Sequence, residues 1–104
     1  MRIVTKKKLR QECWNLDYEL IKWLNEHLKI YKEDASKIVD LEHKKYKYHK
    51  TELTQLQIIN SLIEMTNYLS DENNYYVEGN INTMEYYKNE MYDLLKLVHW
   101  NLWW

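Results

Sequence analysis

Leu9, Cys13, Leu16, Leu20, Trp23, His27 and Ile30 follow one another at steps of four, three, four, three, four and three. This is the a/d spacing of a heptad, and it predicts an amphipathic helix over residues 6–31. Leu24, Leu28 and Tyr31 widen the stripe on one side. A stripe that wide suits a helix with more than one neighbour. A second run, through Ala35, Ile38, Glu42, Tyr46, His49, Leu53, Leu56, Asn60 and Ile63, also keeps three-four spacing. It predicts a helix over 34–70, capped at Asp34 and either continuous or broken near Thr51, a second N-cap candidate. The most apolar part of that run is 52–69, with Ile58, Ile59, Leu62 and Ile63 at its centre.

Residues 70–80 group Ser, Asp and Asn with Gly79 and read as a loop. Asn82, followed three positions later by Glu85, has the spacing of a capping box. Met84, Tyr87, Met91, Leu94, Val98 and Leu102 then predict a last helix over 82–102. The expected fold class is all-α: an antiparallel three-helix bundle, or a four-helix one if Thr51 is a true break. Its helices are long and coiled-coil-like, within a single domain spanning 1–104.

Composition supports that expectation. The 104 residues include no proline and one glycine. A β-sandwich or barrel needs a turn every ~8–12 residues, usually with Gly, Pro or Asn-Gly. Phosphate-cradling loops need several glycines. Cys13 stands alone, which excludes an intramolecular disulfide and a cysteine zinc cluster and suits a reducing, cytoplasmic setting. No run approaches the ~20 apolar residues of a membrane span, and no signal peptide is expected. Lysine, asparagine, tyrosine and isoleucine make up 41 of the 104 residues, a choice that fits an AT-rich genome.

The formal net charge of −1 hides a division. Residues 1–52 carry thirteen Lys/Arg and nine Asp/Glu, a net +4, and residues 53–104 carry two and seven, a net −5. Such a polarised chain can steer charged partners, or lay helices of opposite sign side by side.

Candidate chemistry is sparse. His27, His43, His49 and His99 do not form paired Glu-x-x-His or His-Glu-x-x-His patterns, so no metal is expected. Cys13 sits at an apolar heptad position and reads as a small buried hydrophobe. Small helical ribonuclease toxins use an arginine followed several residues later by histidine, and neither Arg2 nor Arg10 has one at that distance. No catalytic residue and no cofactor is therefore expected, and the chain reads as a non-enzyme. Lys44, Lys45, Lys47 and Lys50 surround Tyr46 and Tyr48, a combination able to neutralise phosphates and stack on bases. That patch carries the alternative reading, a small nucleic-acid-binding regulator.

The first reading is protein recognition. The chain has no phenylalanine but ten tyrosines and five tryptophans, more rings than a modest core hides. Trp100, Trp103 and Trp104 crowd the C-terminal end, which is expected to lie near the Lys/Tyr patch. Tyr75 and Tyr76 occupy the loop, and Glu64, Asp71, Glu72, Glu78 and Glu85 make 64–85 acidic. These residues are the expected partner-binding set, with the acidic ones able to mimic nucleic-acid charge. In size and style the chain resembles small phage and mobile-element proteins that inhibit or redirect one bacterial host or defence protein. The resemblance implies an inhibitor or regulator, with an anti-CRISPR-like role among its forms. A homodimer is a further expectation, since long helices overhang one another.

Overall fold

The computed structural model describes residues 6–104, so Arg2 and the rest of 1–5 lie outside the described residues. It is mostly helical, with four α-helices, two short 3-10 turns and one two-stranded sheet. The helices are α1 (Lys6–Cys13), α2 (Leu16–Ala35), α3 (Gln55–Leu69) and α4 (Ile81–Val98), and the strands are β1 (Lys45–Tyr48) and β2 (Thr51–Thr54).

α3 is the centre. Ile58, Ile59 and Leu62 are completely buried, and the helix packs against both α2 and α4, which touch each other little. Asn25 lies against Thr66, and Tyr31 against Gln55, so α2 and α3 run in opposite directions. The Tyr68 ring meets that of Tyr87 at a tilt, while Gln55 reaches the backbone of Asn101, so α4 reverses again. One core cluster joins Leu28, Ile58, Leu62, Met91, Leu94 and Val98; a second gathers Tyr31, Ala35, Leu41 and Ile59. The Asn25 amide is shared among Ile63 O (3.2 Å), Thr66 Oγ1 (2.9 Å) and Asn67 Oδ1 (2.8 Å). A buried polar group satisfied in this way ties α2 to α3 at one register.

Several expected boundaries are corrected. The helix expected over 6–31 is interrupted at Trp14 and Asn15 and continues to Ala35, which places Asp34 inside α2 and not at a cap. The helix expected over 34–70 forms only from Gln55 to Leu69. Its N-cap is Thr54 and not Thr51: Gln57 N donates to Thr54 Oγ1 (3.1 Å), and Thr54 N to Gln57 Oε1 (2.8 Å), a complete capping box. The other expected box, Asn82 with Glu85, is absent as such. α4 begins at Ile81, and the Asn80 side chain instead joins Tyr68 to the loop.

The hairpin is the feature that contradicts an all-helical chain. Lys45, Tyr46, Lys47 and Tyr48 alternate outward and inward, and pair in order with Thr54, Leu53, Glu52 and Thr51. Period-two alternation of aromatic and polar residues is a strand signal, and here it outweighs the helical propensity of lysine. The turn is His49-Lys50, with His49 at φ 54°, the left-handed region that usually calls for glycine or asparagine. The loop expected at 70–80 is present, with a 3-10 turn over Glu72–Tyr76 and Gly79 at φ 78°. The last helix ends at Val98 and is followed by a 3-10 turn, His99–Asn101.

Candidate recognition surface

The heptad stripe is not in the core. Leu9, Leu16, Leu20, Trp23 and Ile30 are about half exposed, and Cys13 and His27 are also exposed. The residues that widened the stripe do the packing: Leu28 and Tyr31 are buried and Leu24 is half-buried. α2 therefore carries two apolar faces, and among the described residues only the one toward α3 is covered. Within the seam, Trp23 stacks on His27 with ring centroids 3.9 Å apart.

Beside the seam lies a groove between α2 and α4. Leu20, Ile21, Trp23 and Leu24 form one wall, Tyr92, Leu95 and His99 the other, and Met91 the floor. This lobe has a volume of about 350 Å³. It continues past Leu20, Ile21 and Tyr92 into a second lobe of about 540 Å³, reaching Leu16, Leu69, Tyr75, Ile81 and Met84. Charged residues line only that second lobe: Asp17, and Glu85 paired with Lys88 at 2.7 Å. α2 and α4 thus both pack on α3 and leave this groove between them. The hairpin lies on another side of α4. Tyr48 donates a hydrogen bond to Glu90 of α4, and Glu90 and Tyr92 project roughly 200° apart on that helix.

The expected partner-binding residues fall into separate places. Trp100, Trp103 and Trp104 lie at the C-terminal end of α4 with their rings exposed. Their backbone is held: Tyr31 Oη donates to Asn101 O and Trp103 O (3.3 and 3.2 Å), and Gln55 Nε2 donates to Asn101 O (2.9 Å). Lys44 Nζ meets Asn101 Oδ1 at 2.6 Å and stands 6.0 Å above the Tyr46 ring, so this end does adjoin the lysines. Tyr75, Tyr76, Asp71, Glu72, Glu78 and Glu85 gather at the opposite end of α4, about 27 Å away over its 18 residues. Glu64 is exposed on α3, turned away from the buried Leu62. The structure does not bring these residues into one site.

Of the nucleic-acid set, Lys44, Lys45, Lys47 and Lys50 are exposed, but Tyr46 and Tyr48 turn inward and are half-buried against the core. The Tyr46 hydroxyl is buried near Asn101 without a hydrogen bond of ordinary geometry, and burial raises its pKa. Tyr48 is pushed up to about 12, first by its hydrogen bond to the Glu90 carboxylate and then by burial. Burial also raises the pKa of Tyr31 and Tyr75. Cys13, expected to be buried, is exposed. Among the described residues, no three His, Cys, Asp or Glu side chains come close enough to hold a metal ion. No described helix is long and apolar enough to cross a membrane.

The sequence contained a signal for the groove. Two interleaved apolar stripes on one helix need two covers, and one neighbouring helix supplies one. Compared with protein-family models, with characterised proteins and with solved structures, the chain matches none.

Proposed function

We propose that the chain is a non-enzymatic protein-recognition module that takes an amphipathic helix into the groove between α2 and α4. One observation carries this reading: α2 presents two apolar faces, and the one along the groove has no partner among the described residues. Scattered exposed apolar residues are ordinary on a protein surface, but a contiguous apolar stripe beside an apolar groove marks an interaction site. Helix-in-groove recognition reads anchors at i, i+3, i+4 and i+7, the periodicity that both walls display. An inhibitor or regulator of a host or defence protein, as made by phages and mobile elements, is one form of this function. The charge division and the AT-rich residue choice favour it.

A photo-crosslinking residue placed at Tyr92, in the cell that makes the protein, is expected to capture a polypeptide. The same residue at Asn60, exposed on the outer side of α3, is expected to capture little. Equal capture from both positions, or none from either, overturns the groove as the contact surface.

A further inference from the structure

We propose that the helix entering the groove is α2 of a second copy of this chain, in a two-fold dimer. This inference rests on the reading of the groove as a helix-binding surface and names its occupant. Two observations point to a second copy. The exposed stripe of α2 has a/d spacing, the pattern by which a helix recognises another of its own kind. Leu20 and Trp23 belong both to that stripe and to the groove wall, so one surface is at once the inserted face and the receiving one. An isologous contact requires this self-complementarity. Each α2 then lies in the other copy's groove, and the two pairs of α2 and α4 close over one another.

The exposed area is of the right order. Leu16, Leu20, Trp23, Ile30 and Tyr92 are each about half exposed, and with the polar rim around them they supply much of the roughly 800 Å² that each partner contributes to a stable interface. The charges agree as well. In the groove's apolar lobe His99 is the one lining side chain that can carry a positive charge, among Trp23, Leu24, Tyr92 and Leu95, and Asp17, Glu85 and Lys88 sit at the other end. A strongly charged ligand finds little complement there, and an apolar stripe does. The molecule is also more open than its length requires. Its radius of gyration is 15.4 Å, against about 13 Å for a compact domain of 104 residues.

Sedimentation equilibrium of the purified full chain tests the proposal. The expected species at micromolar concentration is a dimer of about 26 kDa, twice the 13.0 kDa chain. Leu20→Glu is expected to weaken association roughly 100-fold, since it buries a carboxylate at the centre of the contact. Its helical circular dichroism should be unchanged, because Leu20 is half exposed in the single chain. Leu95→Glu, on the opposite wall, provides a second variant with the same expected loss, and Asn60→Glu should leave the dimer intact. A wild-type chain that stays at 13.0 kDa up to several hundred micromolar overturns the proposal. So does a dimer that survives both groove substitutions. A monomer whose Tyr92 crosslinker still captures a foreign polypeptide refutes the second copy while leaving the groove reading standing. A monomer that captures nothing refutes both.

Discussion

His49 and Gly79 hold the two left-handed backbone conformations among the described residues, and they should respond oppositely to substitution. A Cβ on Gly79 meets nothing within 4 Å, so Gly79→Ala carries only the backbone penalty, about 1 kcal/mol of destabilisation. His49→Gly relieves the same kind of strain and should raise stability by up to about 1 kcal/mol, read by urea denaturation. Asn25 is a different case, since it and its partner Thr66 are both buried. Asn25→Ala should cost about 1–3 kcal/mol, and a double-mutant cycle with Thr66→Val should give coupling well above zero. Additive losses would mean that the amide does not act through Thr66. Tyr48 makes stability depend on alkaline pH. Its folded pKa lies near 12, above the ordinary 10.0, so the fold favours the protonated phenol. That contribution is full below pH 10 and is lost as pH rises from about 10 to about 12. Tyr48→Phe should flatten, though not abolish, the fall in stability over this window, because Tyr31, Tyr46 and Tyr75 are also raised. Tyrosinate difference spectroscopy should show one late-titrating phenol missing from the variant.

At the scale of elements, the hairpin and α2 show how far the sequence could be read. Loop 70–80 and α4 were legible because Ser, Asp, Asn and Gly79 cluster there and the apolar stripe resumes at once. The core of α3 was legible for the same reason. The hairpin was not. Its turn uses histidine and lysine in place of glycine, and Lys-Tyr alternation fits the edge of an amphipathic helix as well as a strand. One left-handed histidine was enough to close it, which a scarcity of glycine does not reveal. The end of α2 was obscured in a similar way, because Asp34 has the chemistry of an N-cap, whereas Ala35 is buried beside Tyr31, Leu41 and Ile59 and holds the helix past it. The start of α3 rests on Thr54, so Thr54→Ala should cost about 1 kcal/mol and loosen β2 with it. Faster amide exchange at both Gln57 and Leu53 would reveal that linkage. The candidate surface was half legible: the heptad is plain in the sequence, but the exposure of its side chains is not. Periodicity identifies an apolar face and does not say what covers it.

Across the whole molecule, charge and shape are organised differently from the expected partner-binding set. The tryptophans and the acidic loop sit at opposite ends, and the apolar groove runs between them. The C-terminal backbone is pinned by Tyr31 and Gln55, so Trp103→Ala and Trp104→Ala should leave thermal stability within about 1 kcal/mol, as surface changes do. A larger loss would assign these rings a structural role that their exposure does not indicate.

The central position of α3 has a consequence for how the chain folds. Because α2 and α4 each meet α3 and hardly meet each other, every major helix pairing joins neighbours along the sequence. The loop-closure cost of each pairing is small, and α2–α3 and α3–α4 can form in either order. Folding should therefore be fast, with parallel routes that converge on α3. A destabilising change at Ile58 or Leu62 should slow all of them, whereas one at Leu94 should slow only half.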